Sequence, residues 1–295
     1  MASTQDLKRR VRSISNTRKL TRAMELVASA RLRRAQMRIE GMRPYADRML
    51  ELMAGTAHAA GAVRLPLLEQ REEVNTVAIV AITGDRGLAG AFNAQVLRRA
   101  FALMRDEQAA GREVRFYGSG KKAQSTLRFR RLPVGETWTG FSDRPTYRDA
   151  QTMAHALSEA FIAGEVDRVS IVYNAFVSPL VQTVTVTDVL PVSPAVLAGD
   201  DDQPASSHPV DFFFEPEPRD ILGRLLPVYV ETELYRALLE SAASEQGARM
   251  TAMRNASKSA GELIDTLTLA MNRARQAEIT QEILEVVAGA DALTQ

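Results

Sequence analysis

Cysteine is absent from the 295 residues. Disulfides, thiolate metal sites and cysteine nucleophiles are therefore excluded, and thiol-based redox control with them. Histidine is scarce. His58, His155 and His208 lie far apart and in different kinds of segment, so each is read as a solvated or locally bonded side chain and no histidine metal site is expected. Strong net charge is lacking too: a formal +1 gives no global field that demands nucleic acid or an anionic membrane. No run of about 18 apolar residues is present to cross a bilayer. The basic stretch Lys8 to Arg12 has no signal-peptide core behind it, because Leu26-Val27-Ala28 is soon interrupted by Arg31. The chain is thus expected in the cytoplasm, reaching any membrane through another protein. What remains is ordinary for one or two soluble globular domains, with 45% hydrophobic and 25% charged residues.

Two long helical segments stand at opposite ends. From Glu231 to Ala288 the residues Leu263, Leu267, Ala270, Ala274, Ala277, Gln281, Leu284 and Ala288 recur at spacings of four and three, a coiled-coil rhythm. Many of these are alanine, which lets a partner helix approach closely but buries little area per residue. A slim rod of roughly 80 Å is predicted, at 1.5 Å per residue, in place of one wall of a thick core. At the other end, helix formers run from Ser3 to about His58, with Ser3, Thr4 or Asp6 as the N-cap. An apolar track passes through Leu7, Val11, Ile14, Thr17, Thr21, Met24, Ala28 and Ala35, and Gly41 and Pro44 mark an expected kink or break. Residues 1–40 hold eleven Lys and Arg against three Asp and Glu. That cationic face is a solvated surface, a nucleic-acid arm, or a surface for an acidic protein; the lack of aromatics before Tyr45 argues against the arm.

Between these segments, after a linker from Val63 to Glu73, strands and helices alternate. Val77 to Ile82 is an apolar run of the kind buried on both faces, and Val114 to Tyr117 and Val166 to Asn174 are further strands. Ala91 to Gln108, Lys121 to Leu127 and Tyr147 to Ala163 are the intervening helices, while Val181 to Val189 alternates as a half-exposed strand. The order implies a largely parallel, Rossmann-like sheet covered by helices. Ser193 to Pro218, with Asp200-Asp201-Asp202 and Phe212 to Phe214, reads as a surface loop with a hydrophobic anchor or an edge strand. The domain division is 1–62 helix, 74–195 α/β domain, 196–218 loop and 219–295 helix, and Pro227 is expected near the start of the last helix.

This architecture often binds nucleotides, and two glycine loops lie where such a sheet would hold a phosphate. Gly84-Asp85-Arg86-Gly87-Leu88-Ala89-Gly90 follows a strand and opens a helix, but its spacing is not G-x-G-x-x-G. Gly118-Ser119-Gly120-Lys121-Lys122 has no glycine at Arg115 and no Ser or Thr after the lysine, so it is not a P-loop. A nucleotide-binding α/β enzyme with helical dimerisation arms stays open as the alternative, and a coiled-coil adaptor with a basic face for nucleic acid as a third reading.

Several stretches resemble the gamma subunit of F-type ATP synthases. VRSISNTRKLTRAMELVASARLRRAQ (Val11 to Gln36) is similar to that family's amino-terminal helix, and ITGDRGLAGAFN (Ile82 to Asn93) to its strand-loop-helix motif, where Ala89 takes a position often held by cysteine. FEPEPRDILGRLLPVYVETELYRALLESAASEQGARM (Phe214 to Met250) and NRARQAEITQEILEVVAGA (Asn272 to Ala290) are similar to its carboxy-terminal signatures, with the weakest fit over 128–146 and 195–210. The resemblance implies a long antiparallel two-helix coiled coil of the terminal segments with the α/β domain inserted. It implies no catalytic residue, cofactor or metal in this chain. It further implies a rotor inside a ring of alpha and beta subunits, gripping the epsilon subunit and the membrane c-ring, at the cytoplasmic face of the cell membrane and peripheral to it. By the same resemblance Met24, Arg249, Arg275, Gln276, Thr280 and Glu282 are the rotor–stator contacts, with Met24 beside the others on the opposite helix.

Overall fold

The structure is a computed structural model that describes residues 4–61, 65–198 and 215–293. Two compact units are distinguished, one spanning Ala30–Ala248 and one combining Met1–Ser29 with Arg249–Gln295. Helix α1 (Thr4–Ala60) and helix α6 (Pro218–Leu293) each supply residues to both.

The larger unit is built on a five-stranded sheet. Strands β1 (Thr76–Ile82), β2 (Glu113–Ser119), β3 (Val134–Trp138), β4 (Arg168–Phe176) and β5 (Gln182–Leu190) lie in the order β3-β2-β1-β4-β5. All neighbours are parallel except β5, which runs antiparallel to β4. The continuous apolar run of β1 follows from its central place, because both its faces are covered. Val77, Ile79 and Ala81 point toward α2 (Phe92–Ala109) and α3 (Lys121–Phe129), where Val96, Ala100, Phe101 and Leu127 pack. Ala78, Val80 and Ile82 point the other way, against Met153 and Leu157 of α4 (Tyr147–Ile162), Met53 of α1 and Leu226 and Leu234 of α6. A short helix α5 (Pro194–Ala198) follows the sheet.

Charged clamps tie the strand starts together. The Asp167 carboxylate accepts the Asn75 and Thr76 amides at 2.8 Å each and binds the Arg71 guanidinium. Burial pushes its pKa up, but these bonds outweigh burial and hold it below the ordinary carboxylate value. Nearby, buried Glu107 receives both Arg112 and Arg168.

In the smaller unit the two terminal helices run antiparallel. Thr4 donates to Glu278 at 2.7 Å, Arg18 lies over Gly261, and Arg254 donates to Glu25 at 3.0 Å, so one residue number falls as the other rises. The inward residues of α1 are Leu7, Val11, Ile14, Thr21, Glu25 and Ala28. Those of α6 are Met253, Ser257, Ala260, Ile264, Leu267, Met271 and Ala274, a heptad spacing with small residues interspersed.

Four expectations are corrected. Helix α1 continues unbroken through Gly41 and Pro44, because Met49 and Met53 beyond them are buried against the sheet and hold the next turns in place. Pro227 lies well inside α6; Pro218 takes the first helical position, where its missing N–H costs least. The segment from Glu231 is not slim throughout, since Leu234, Leu238, Leu239, Ala242 and Ala243 are core residues. The heptad period was read correctly but half of its register was not: Leu263, Ala270 and Ala277 face outward, and Ile264 and Met271 take the seam. Strand β3 was not anticipated, its sequence VGETW being polar because it forms one edge of the sheet. The loop features at Asp200 to Asp202 and Phe212 to Phe214, together with His208 and the Ser3 cap, lie outside the described residues.

Candidate functional site

The two glycine loops meet at the carboxyl ends of β1 and β2, where α/β sheets commonly bind ligands. Here the amides at the start of the first loop and around the start of α3 are already used. The Asp85 carboxylate accepts Lys121 N at 3.0 Å, Gly140 N at 2.9 Å and Ser142 N at 3.2 Å. It therefore sits as a built-in anion on the amino-terminal end of α3, the position a phosphate would take. The Gly84 amide donates to Asn93 Oδ1 at 2.8 Å, and the Ala123 amide to Thr83 Oγ1 at 2.9 Å. Gly120 is required by backbone conformation and close approach, and Gly84 leaves room for a neighbouring carboxylate. A Cβ on Gly84 would lie 2.7 Å from the carboxylate carbon of buried Glu245, and one on Gly120, whose φ is +92°, would lie 2.2 Å from the Thr83 carbonyl oxygen. These loops are tight structural turns, and a carboxylate over Gly84 repels a phosphate besides.

Above them Asp143 joins four elements. It accepts Arg31 of α1 at 2.7 Å and Gln246 of α6 at 3.0 Å, with Arg86 of the β1–α2 loop at 3.6 Å. Sequence reasoning missed this hub, because an aspartate in a polar loop carries no signal of the helices that will meet it.

On the paired helices, Glu25 is the corresponding hub. Buried between helices, it accepts Arg22 at 2.7 Å and Arg254 at 3.0 Å, and the Arg254 bond, foremost, holds its pKa below the ordinary value against the opposing effect of burial. The six residues singled out in the sequence fall in three places. Met24 is half-buried beside Glu25, and Arg249 is 8% exposed. Arg275, Gln276, Thr280 and Glu282 are exposed near the start of α1, where Thr4 meets Glu278, and the Thr280 hydroxyl donates to the Gln276 carbonyl at 2.9 Å. Met24 is therefore not beside Arg275: the stretch from Arg254, opposite Glu25, to Arg275 covers roughly 30 Å of helix. Sequence reasoning also passed over most of the apolar side chains left open around those residues, and it placed Leu284 in the helix seam, whereas Leu284 is 63% exposed. Ile279, Ile283, Leu284, Val286 and Val287 are about half exposed or more, Val286 reaching 73%. Their spacing places them on one broad outward face, and the signal was available as an apolar excess beyond what a two-helix seam needs.

Comparison with known proteins gives a consistent result. A family model described as ATP synthase matches residues 3–293. The ATP synthase gamma chain of Rubrobacter xylanophilus is 47% identical over 293 residues, 99% of each chain, and that of Chloroflexus aurantiacus is 43% identical over 298 residues, all of each. Among solved structures, a chain of the Tetrahymena thermophila mitochondrial ATP synthase central stalk and c-ring is 25% identical with a TM-score of 0.58, covering 81% of this chain and 99% of that one. The rotor of the Euglena gracilis mitochondrial ATP synthase is 19% identical with a TM-score of 0.65, covering 94% and 98%, a likeness of fold.

Proposed function

Because the chain belongs to the ATP synthase gamma-chain family, we propose that its paired terminal helices turn inside an alternating ring of alpha and beta subunits. The chain is the rotor-stalk subunit and is not itself catalytic; bond chemistry occurs in the beta subunits. One observation carries the mechanical reading. The helix pair buries a narrow seam of aliphatic residues with small ones interspersed while Ile279, Ile283, Leu284, Val286 and Val287 stand exposed, so the apolar face is left for a surrounding sleeve. Apolar contact without deep interlocking lets a shaft slide between orientations, and exposed ion pairs of about 0.2–1 kcal/mol each guide it without locking one. Proton flow through a membrane c-ring drives the turning, and the asymmetric shaft forces the beta subunits through their conformations in sequence.

The finer assignments follow from the same family reading. Arg275, Gln276, Thr280 and Glu282 touch the beta subunits directly, supported by their exposure. Met24 and Arg249, half-buried and buried, belong to the same contact set and act mainly by holding the helices in register. The α/β unit grips the epsilon subunit and the c-ring, and the assembly lies on the cytoplasmic face of the membrane. Among the described residues no helix is long and apolar enough to cross it.

Co-expression with alpha and beta subunits tests the reading. A stable complex with ATPase activity is expected, and a chain that never co-purifies with them would sink it. Arg275→Ala should lower proton-driven ATP synthesis several-fold while the helicity of the isolated chain is unchanged; normal synthesis would remove Arg275 from the contact.

A further inference from the structure

One corner of the α/β unit is not accounted for by the unit's own packing. From residue 114 to residue 135 the chain carries six basic side chains and no acidic one. Within that stretch α3 ends on Arg128-Phe129-Arg130-Arg131, and all four residues are exposed. Phe129 is 88% exposed, more than any other large apolar side chain among the described residues. Leu132 follows half-buried, and Pro133 and Val134 are exposed after it, the last of them opening the edge strand β3.

The local backbone fixes this cluster. The Arg131 amide donates to the Arg128 carbonyl at 3.1 Å and the Leu132 amide to the Leu127 carbonyl at 3.3 Å, which closes the helix. That closure sets Arg131 at φ +54°, a left-handed position that glycine fills at lower cost, yet a long cation stands there. Arg130 lies over the Phe101 ring, 4.3 Å from its centroid, and so has a packing role. Arg128 and Arg131 have none: among the described residues neither side chain makes an ion pair or a hydrogen bond. Cations at a helix carboxyl end favour the macrodipole, which accounts for charge here but not for an aromatic ring left in water between them.

The place of the cluster in the fold narrows its partner. Helix α3 runs back against the parallel strands, so Phe129 stands at the end of the sheet where the strands begin. The Asp143 hub, with Arg31 and Gln246, stands at the opposite end, and beside it α1 and α6 leave the unit at Ala30 and Ala248. We propose that this corner rests directly on an anionic phospholipid surface, with the Phe129 ring in the interfacial layer and Arg128 and Arg131 on headgroup phosphates. A single ring standing out among cations suits a soft interface that takes up the ring between headgroups and supplies the negative charge. A nucleic-acid site would need several rings for successive bases, and the cluster offers one. The inference rests on the reading of the chain as a rotor stalk at a membrane and adds a contact with the lipid itself.

The test uses the complex of this chain with alpha and beta subunits, in which the rotor reading encloses the basic start of α1. It is sedimented with vesicles of mixed phosphatidylglycerol and phosphatidylcholine, or of phosphatidylcholine alone, and binding to the anionic vesicles only is expected. Arg128→Gln combined with Arg131→Gln should weaken that binding about tenfold or more, since each basic residue near an anionic surface counts severalfold. Phe129→Ser, which leaves the charge unchanged, should weaken it about threefold or more. All three positions are exposed, so the fold survives these changes, and the fluorescence of buried Trp138 checks it. No binding, equal binding to both kinds of vesicle, or binding that the arginine pair does not alter overturns the corner as a lipid contact. Loss with the arginine pair but not with Phe129→Ser marks a surface for any polyanion and overturns the lipid assignment. Failure to assemble with alpha and beta subunits removes the stalk reading and this inference together, whereas an intact complex that ignores the vesicles overturns this inference alone.

Discussion

Replacing Asp85 by alanine strips the acceptor from three amides at once, those of Lys121, Gly140 and Ser142. Hydrogen bonds to a charged group contribute about 1.5–3 kcal/mol each in favourable cases, and water can reach part of this site. Asp85→Ala should therefore lower unfolding free energy by about 2–4 kcal/mol, read from urea denaturation, and a change below the error of that measurement would show the turn to be held by other bonds. Asp167 allows a test with a sign. Its pKa is depressed in the fold, so its stabilisation is present above the unfolded carboxylate value and is lost as pH falls through the folded one. Asp167→Asn should be clearly less stable than the parent chain at pH 7, and the gap should close below about pH 4. A gap that stays constant down to pH 2 would remove the carboxylate's charge from the account.

At the scale of elements, α6 changes character along its length. Leu234, Leu238 and Ala242 are sheet-covering core, whereas beyond Met253 only one narrow stripe is even half-buried. Its hydropathy pattern shows the difference poorly, because alanine and leucine serve both a core and a seam. The heptad period was legible, but one position of register was not: Leu263 and Ile264 are adjacent and both apolar, and nothing local says which faces the partner. The structure puts Leu263 at 47% exposure and Ile264 inward. Ile264→Ala should cost about 1–2 kcal/mol, less than a full core truncation because the site is half-open, while Leu263→Ala should stay within about 0.5 kcal/mol. Thermal unfolding of the two variants decides it, and the opposite order would restore the register read from the sequence. Pro44 teaches a related lesson. A helix-breaking residue was overruled by the buried methionines that follow it, a tertiary effect invisible in a local window.

For the whole molecule, the alternation of strands and helices and the long terminal helices were legible because burial on both faces and a heptad repeat leave direct periodic traces. Edge strand β3 left none, and the Asp143 hub depends on which loops come to lie together. The division into two compact units has a measurable consequence. The single tryptophan, Trp138, is buried in the sheet unit, so its fluorescence reports that unit, while circular dichroism reports helix in both. The smaller unit buries little. In urea the helical signal should begin to fall before the tryptophan signal; superimposable curves would mean one cooperative transition.

The hydrogen bond from Thr4 to Glu278 closes a separation of 274 residues. On a ribosome adding about 5–20 residues per second, the first helix waits roughly 14–55 s after leaving the exit tunnel before its companion exists. Through that interval Leu7, Val11 and Ile14 have nothing to cover them, while the strands of the sheet are emerging and finding one another. The nascent protein therefore spends most of its synthesis with a sticky leading end, and a chaperone that binds short apolar helices has its opportunity then.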